Sequence, residues 1–188
     1  MSLPHERKVS IEQFYKMREE TTELLEYMDG IVLLSPSPST AHQRVSARLQ
    51  ARLFHFLEGG ECEVFSAPYD VQLYRKDLKG TNIFMPDLSV ICDKEGIEEN
   101  RYVGVPTVVA EILSPSNQSH DLVTKMEAYM KYGVKEYWIV NPMLKSIQLY
   151  AINENGVYQQ IEVMKNTGLV KSEVLKGFQV RLEDIFKS

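Results

Sequence analysis

Cysteine is scarce: 188 residues carry only Cys62 and Cys92, and neither stands in a CxxC pair or at a Cys/His ligand spacing. A zinc ribbon or disulfide-stapled scaffold is therefore not the organising principle, and the two thiols, each in an apolar strand-like run, are expected to be buried and free. No apolar run approaches the ~20 residues of a membrane-spanning helix, and the opening "MSLPHERKVS" has no apolar core of a secretory signal. The expectation is a cytoplasmic protein with no membrane partner. Positive charge is also in short supply. Lys and Arg number 21 against 26 Asp and Glu, a net charge of −5, which argues against coating nucleic acid by bulk electrostatics but leaves room for a local basic patch. GxxxxGK, GxGxxG after a strand, HExxH and GxSxG are all missing, and the four histidines show no ligand spacing. Trp138 and the tyrosines fall in strand or helix patterns and are read as core rather than as base-stacking platforms.

What is present is enough apolar material, 44% of the chain, for one domain with a real core. "KVSIEQFYKM" predicts a short helix with Ser10 as N-cap and Gln13 completing a capping box. "TELLEYMDGIVLLSP" predicts a hairpin around Asp29-Gly30. From Ser39 to Leu57 the apolar residues Val45, Leu49, Leu53, Phe56 and Leu57 recur at helical spacing, and Gly59-Gly60 ends the run. Strands are expected near Cys62–Ser66, Tyr69–Tyr74, Ile83–Cys92 and Thr107–Leu113, with "DKEGIEEN" as a loop between the last two. A helix follows, stopping at Gly133, then the strand "EYWIV", a hairpin of "KSIQLYAI" and "GVYQQIEVM", and a short helix at "RLEDIF". Helix and strand alternate as in a mixed α/β (α+β) layer rather than a bundle or a sandwich. The expected division is a core over about 39–142, an N-terminal helix and hairpin over 10–35, and an additional C-terminal hairpin and short helix over 144–186.

Two apolar strands each contain an acid: Asp87 in "IFMPDLSVIC" and Glu111 in "PTVVAEILSPS". An ionised carboxylate taken out of water costs several kcal/mol unless a cation or hydrogen bonds meet it. If the two strands pair, they lie about 4.8 Å apart and one divalent ion can be reached from both. The alternative is that each acid has its own salt bridge or faces solvent. Pro86 cannot donate to a central ladder, so Asp87 is expected at a strand start, bend or edge. Asp121, Lys125 and Tyr129 fall at i, i+4 and i+8 on the following helix, which lets Lys125 face Glu111; the plainer reading is a surface Asp121–Lys125 pair. Glu26 is a candidate third acid.

On the earlier helix, Arg44, Arg48 and Arg52 recur every four residues opposite the apolar face. That spacing suits a phosphate backbone and equally an ordinary solvated face. His42 and Gln43, in the first turn, are placed to reach a phosphate or a metal-bound water, or simply to cap the helix.

"PDLSVI", then "VVAEILSPS" with Glu111 twenty-four positions after Asp87, then "DLVTKMEAYMKYGVKEYWIVNP", together with "LLEYMDG" and "HQRVSARL", resemble the Uma-two family of restriction endonucleases within the PD-(D/E)XK nuclease superfamily. The likeness runs from about Ile11 to Phe186. It implies a restriction-endonuclease-like core, a mixed β-sheet flanked by helices, and a Mg²⁺ (or Mn²⁺) held by Asp87, Glu111 and the Ile112 carbonyl. It also implies DNA as substrate, with RNA and a homodimer left open. The family pattern wants a lysine two positions after the second acid, where Leu113 stands; Lys125 is then the displaced lysine, with Asp121 or Tyr129 orienting it, and Arg44, Arg48 and Arg52 hold the backbone. A catalytically silent binding relative and a phosphohydrolase of small substrates are the two other readings.

Overall fold

The computed structural model of the chain describes residues 8–35, 37–114 and 120–187, with side chains described from 123 onward in the last span. Helix α1 (Ile11–Glu19) starts from the expected capping box, in which the Gln13 N–H donates to Ser10 Oγ and the Ser10 N–H to Gln13 Oε1. Strands β1 (Leu24–Met28) and β2 (Ile31–Ser35) pair antiparallel across Asp29 and Gly30, whose φ values of 46° and 100° are the paired positive angles a two-residue hairpin turn needs. Helix α2 (Thr40–Leu57), capped by Ser39, buries Val45, Leu49 and Leu53. Then come β3 (Glu63–Ser66), β4 (Asp70–Leu73), β5 (Asn82–Phe84), β6 (Leu88–Ile91), β7 (Arg101–Gly104) and β8 (Val108–Ile112). A π-helical segment, His120–Lys125, runs into α3 (Met126–Tyr132), which ends at left-handed Gly133. The chain finishes with β9 (Glu136–Asn141), β10 (Ser146–Ile152), β11 (Tyr158–Lys165), β12 (Leu169–Lys171), β13 (Gln179–Arg181) and α4 (Leu182–Phe186).

A six-stranded sheet has the order β11-β10-β9-β8-β6-β3 and a five-stranded sheet the order β2-β1-β5-β4-β7, with β12-β13 as a separate ribbon. Both larger sheets are mixed: β8/β9 and β4/β7 are parallel and the other pairs antiparallel. Val108, Ala110 and Ile112 of β8 pack with Val45, Leu49 and Leu53 of α2 on one face of the six-stranded sheet. Val109 and Leu113 lie on the opposite face, with Phe84 of the five-stranded sheet and Tyr129 and Tyr132 of α3. The strand alternation therefore turns Glu111 toward α3 and the second sheet.

Three sequence expectations are corrected. The single strand over Ile83–Cys92 is two strands in two sheets: β5 joins the five-stranded one and β6 the six-stranded one, with Met85, Pro86 and Asp87 between them. Pro86 has no N–H to extend either ladder, so the chain changes sheets there. The stretch before Thr107 holds a strand, β7, and the ribbon β12–β13 lies beyond the expected hairpin. These strands of three or four residues are too short for periodicity to register. Finally, Cys62 and Cys92 form a disulfide. The β3/β6 register sets Glu63 against Ile91, so the next residues outward face each other, which neither run shows when read alone.

Glu136 is fully buried at the start of β9 and is met by four donors: Trp138 Nε1 at 2.6 Å, Ser172 Oγ at 2.7 Å, and the N–H groups of Glu173 and Val174 at 2.7 and 3.1 Å. Hydrogen bonds thus replace lost hydration and fasten the segment after β12 to the sheet.

Burial pushes Tyr102 up to about 12, and it raises Tyr158 and Tyr129 well above the ordinary value, Glu111 adding to the effect at Tyr129. The ordinary tyrosine value is 10.0, so between there and 12 the unfolded chain loses these protons while the folded chain keeps them. Stability must then fall as pH rises, by about 1.4 kcal/mol per pH unit for each such tyrosine. Urea midpoints measured from pH 9 to 12 should drop steeply above 10, and Tyr158→Phe should shallow the slope by one proton. A flat profile would contradict the burial of these hydroxyls.

Candidate active site

Asp87 immediately precedes β6 and Glu111 is the fourth residue of β8. Leu88 pairs with Ala110 in this antiparallel register, so one step further the two acids stand opposite each other at the end of the ladder, where cross-strand side chains lie side by side on one face. The main chain holds Asp87 in place: Asp87 Oδ2 accepts from the Ile112 N–H at 2.7 Å, the Asp87 carbonyl accepts from the Ala67 N–H at 3.2 Å, and the Asp87 N–H donates to Glu111 Oε2 at 3.4 Å. The N–H and carbonyl of one strand residue face the same edge, so the Ile112 carbonyl faces the Asp87 side as well.

Glu111 is only 2% exposed. Its Oε1 accepts from the Tyr129 hydroxyl at 2.9 Å and from Lys125 Nζ at 3.4 Å. With its pKa held well above the ordinary tyrosine range by burial and then by Glu111, the Tyr129 hydroxyl stays a donor. Lys125, at the end of the π-helical segment, is itself buried; its ammonium lies 2.9 Å from Glu26 Oε1 and 5.7 Å from the centroid of the Phe84 ring. Glu26 reaches in from β1, and its Oε1 also accepts from the Met85 N–H at 2.7 Å. One lysine thus sits between two buried carboxylates, each with further donors, which makes burial of the charges tolerable. On the other side, buried His42 of α2 places Nε2 3.0 Å from Asp87 Oδ1. Of the site's groups, Asp87, Glu111, Lys125 and His42 border a cavity of about 350 Å³, as does Gln43.

The structure therefore brings together Asp87, Glu111, Ile112, Lys125, Tyr129, Glu26 and His42, with Gln43 on the cavity wall. The Asp121 side chain lies outside the described residues. The arginines of the stripe lie away from the cavity. Arg48 donates to the carbonyls of Ile185 and Lys187, Arg52 pairs with Asp184 at 3.2 Å, and exposed Arg44 does not border the cavity. On a 3.6-residue helix, positions 44, 48 and 52 stand roughly half a turn from the cavity-lining positions 43, 46, 47 and 50. Arg48 and Arg52 fasten α4 to α2. Sequence reasoning missed Phe84, Gln50 and Ser66, the last two joined by a 3.1 Å hydrogen bond at the cavity wall. Gln50 falls seven residues after Gln43, on the same helix face, and that spacing was the available signal.

The site is thus a pair of opposed Asp and Glu carboxylates at the end of a mixed-sheet ladder, with a lysine between two buried acids. Residues 11–183 match the family described as "Uma2: Putative restriction endonuclease", and the chain belongs to that family. The uncharacterized protein slr1290 of Synechocystis sp. is 29% identical to it over 150 residues, 79% of this chain and 77% of that protein. A second Synechocystis protein, sll1609, is 23% identical over 141 residues, covering 73% and 77%. Among solved structures, the crystal structure of a "putative nuclease belonging to DUF820" from Anabaena variabilis superposes with a TM-score of 0.76 at 19% identity over 95% of this chain and 97% of that one, a likeness of fold. Among the described residues no helix is long and apolar enough to cross a membrane.

Proposed function

We propose that this protein is a metal-dependent nuclease that hydrolyses phosphodiester bonds of DNA, with Asp87 and Glu111 as metal ligands and Lys125 as the active-site ammonium. The observation that carries the reading is the placement of Lys125 Nζ 3.4 Å from Glu111 Oε1, in the cavity that Asp87 also lines, although the family's usual lysine position is Leu113.

The donor set fits a hard cation. Among the described residues no three His, Cys, Asp or Glu side chains form a metal-holding group, so the ion would rest on the two carboxylates and the Ile112 carbonyl. Mg²⁺ commonly takes one or two carboxylates and keeps water and phosphate oxygens for the remaining positions. Bound there, it supplies a water of lowered pKa and Lewis-acid polarisation of the scissile phosphate. The chain's own residues do the rest. Tyr129 and Lys125 fix Glu111 Oε1, His42 and the Ile112 N–H fix Asp87, and Glu26, anchored by the Met85 N–H, positions the Lys125 ammonium. Lys125 would orient the attacking water and offset charge developing on the phosphate. Hydrolysis joins the water oxygen to phosphorus as one P–O ester bond breaks; one water proton goes to the leaving oxygen.

A panel of DNA, RNA and a small phosphodiester with Mg²⁺, Mn²⁺ or EDTA tests this. DNA cleavage that needs the metal and stops in EDTA is expected. No hydrolysis under any condition would leave a silent binding relative, and turnover of the small ester alone would leave a phosphohydrolase.

A further inference from the structure

The acids do not sit on an open surface. Glu111 and Lys125 are 2% and 6% exposed and the Asp87 side chain 19%, in the wall of the cavity of about 350 Å³. That volume is near the low end of the roughly 300–1,000 Å³ typical of pockets for one small ligand. A double helix, whose major groove alone is about 12 Å wide, cannot enter it. A nucleotide that has left its stack can.

The wall chemistry points the same way. Gln43, Ser46 and Gln50 of α2 offer uncharged amides and hydroxyls, and Pro38, Pro68 and Met85 offer apolar surface. Among the described lining residues Lys125 is the only lysine or arginine, and it already faces Glu26 and Glu111. Arg48 and Arg52 are engaged by the C-terminal helix, and the cavity is lined mainly by uncharged groups. Amides and hydroxyls suit the donor and acceptor edges that a base exposes once it is unpaired.

We infer that the substrate is single-stranded nucleic acid, admitted one unstacked nucleotide at a time between α2 and the segment after β3. This rests on the nuclease reading for its chemistry but not for its binding mode. The test compares a fluorescein-labelled single-stranded 12-mer with the same sequence closed as a blunt hairpin duplex. Cleavage is followed in Mg²⁺ and binding by anisotropy in EDTA, for wild type and Ala47→Trp. Ala47 is an exposed position on the cavity wall, so the indole should fill the cavity without disturbing the core.

At least tenfold preference for the single strand in both readouts is expected, with Ala47→Trp weakening its binding by about tenfold or more at an unchanged melting temperature. If Ala47→Trp lowers the melting temperature, Ser46→Trp provides the same obstruction one position earlier on the helix. Equal or better cutting of the duplex would overturn the inference and leave the nuclease reading standing. Tight, obstruction-sensitive binding of the single strand without cleavage would do the reverse. Binding that neither tryptophan variant affects would overturn the cavity as the entry site.

Discussion

Asp87→Asn is expected to leave the fold standing while abolishing both metal-dependent cleavage and the rise in melting temperature that Mg²⁺ gives the wild type. Asn retains an oxygen for the Ile112 N–H, now 2.7 Å from Asp87 Oδ2, but removes the negative charge. An ion present at 100 times its Kd stabilises the folded state by about 2.7 kcal/mol, which for a domain of this size is roughly 5–10 °C. The wild type should show that shift and Asp87→Asn should not. Loss of several kcal/mol of charge stabilisation in the transition state lowers turnover by at least about two orders of magnitude. Asp87→Ala should lose activity similarly and also cost about 1–3 kcal/mol of stability, because the Ile112 N–H loses its acceptor. A wild-type thermal response to Mg²⁺ in Asp87→Asn would remove Asp87 from the metal site.

Lys125→Met is expected to damage folding and turnover together. A surface Asp121–Lys125 pair, the plainer reading of the spacing, predicts a stability change under about 1 kcal/mol. The structure instead puts the ammonium at 6% exposure, between Glu26 at 4% and Glu111 at 2%. Methionine refills the space but leaves two buried carboxylates without their shared cation, at a cost of roughly 3–5 kcal/mol. Thermal melts should show a drop of about 10 °C, and cleavage should fall by roughly two or more orders of magnitude. The double variant Glu26→Gln with Lys125→Met separates the two effects. The amide oxygen introduced by Glu26→Gln can still accept the Met85 N–H, and with one of the stranded charges gone much of the stability should return, while cleavage should not. If cleavage recovers along with stability, the lysine is structural and the ammonium has no part in the reaction.

Local patterns in the sequence carry a good part of this molecule. The Ser10 and Gln13 capping box, the Asp29-Gly30 turn and the left-handed stop at Gly133 depend on neighbours a few residues away, so they are legible without a fold. Alternation in "VVAEI" sets Glu111 on the opposite face from Ala110 and Ile112, and four-residue spacing puts Lys125 and Tyr129 on one helix stripe. These periodicities single out the residues that the tertiary structure brings together. Pairing register, however, is a long-range property. Whether Cys62 meets Cys92, whether Pro86 merely bends a strand or hands it from one sheet to another, and whether Arg48 and Arg52 face a phosphate or α4 all depend on segments distant in the chain. The same holds for the charge state of the site. Glu26 and Lys125 are 99 residues apart in sequence, and only the packing of β1 beside β5, with α3 against the same core cluster, excludes water around them. That exclusion turns an ordinary Glu and Lys into a pair whose disruption the fold can hardly tolerate, because the attraction between charges and the cost of stranding one both grow as water leaves.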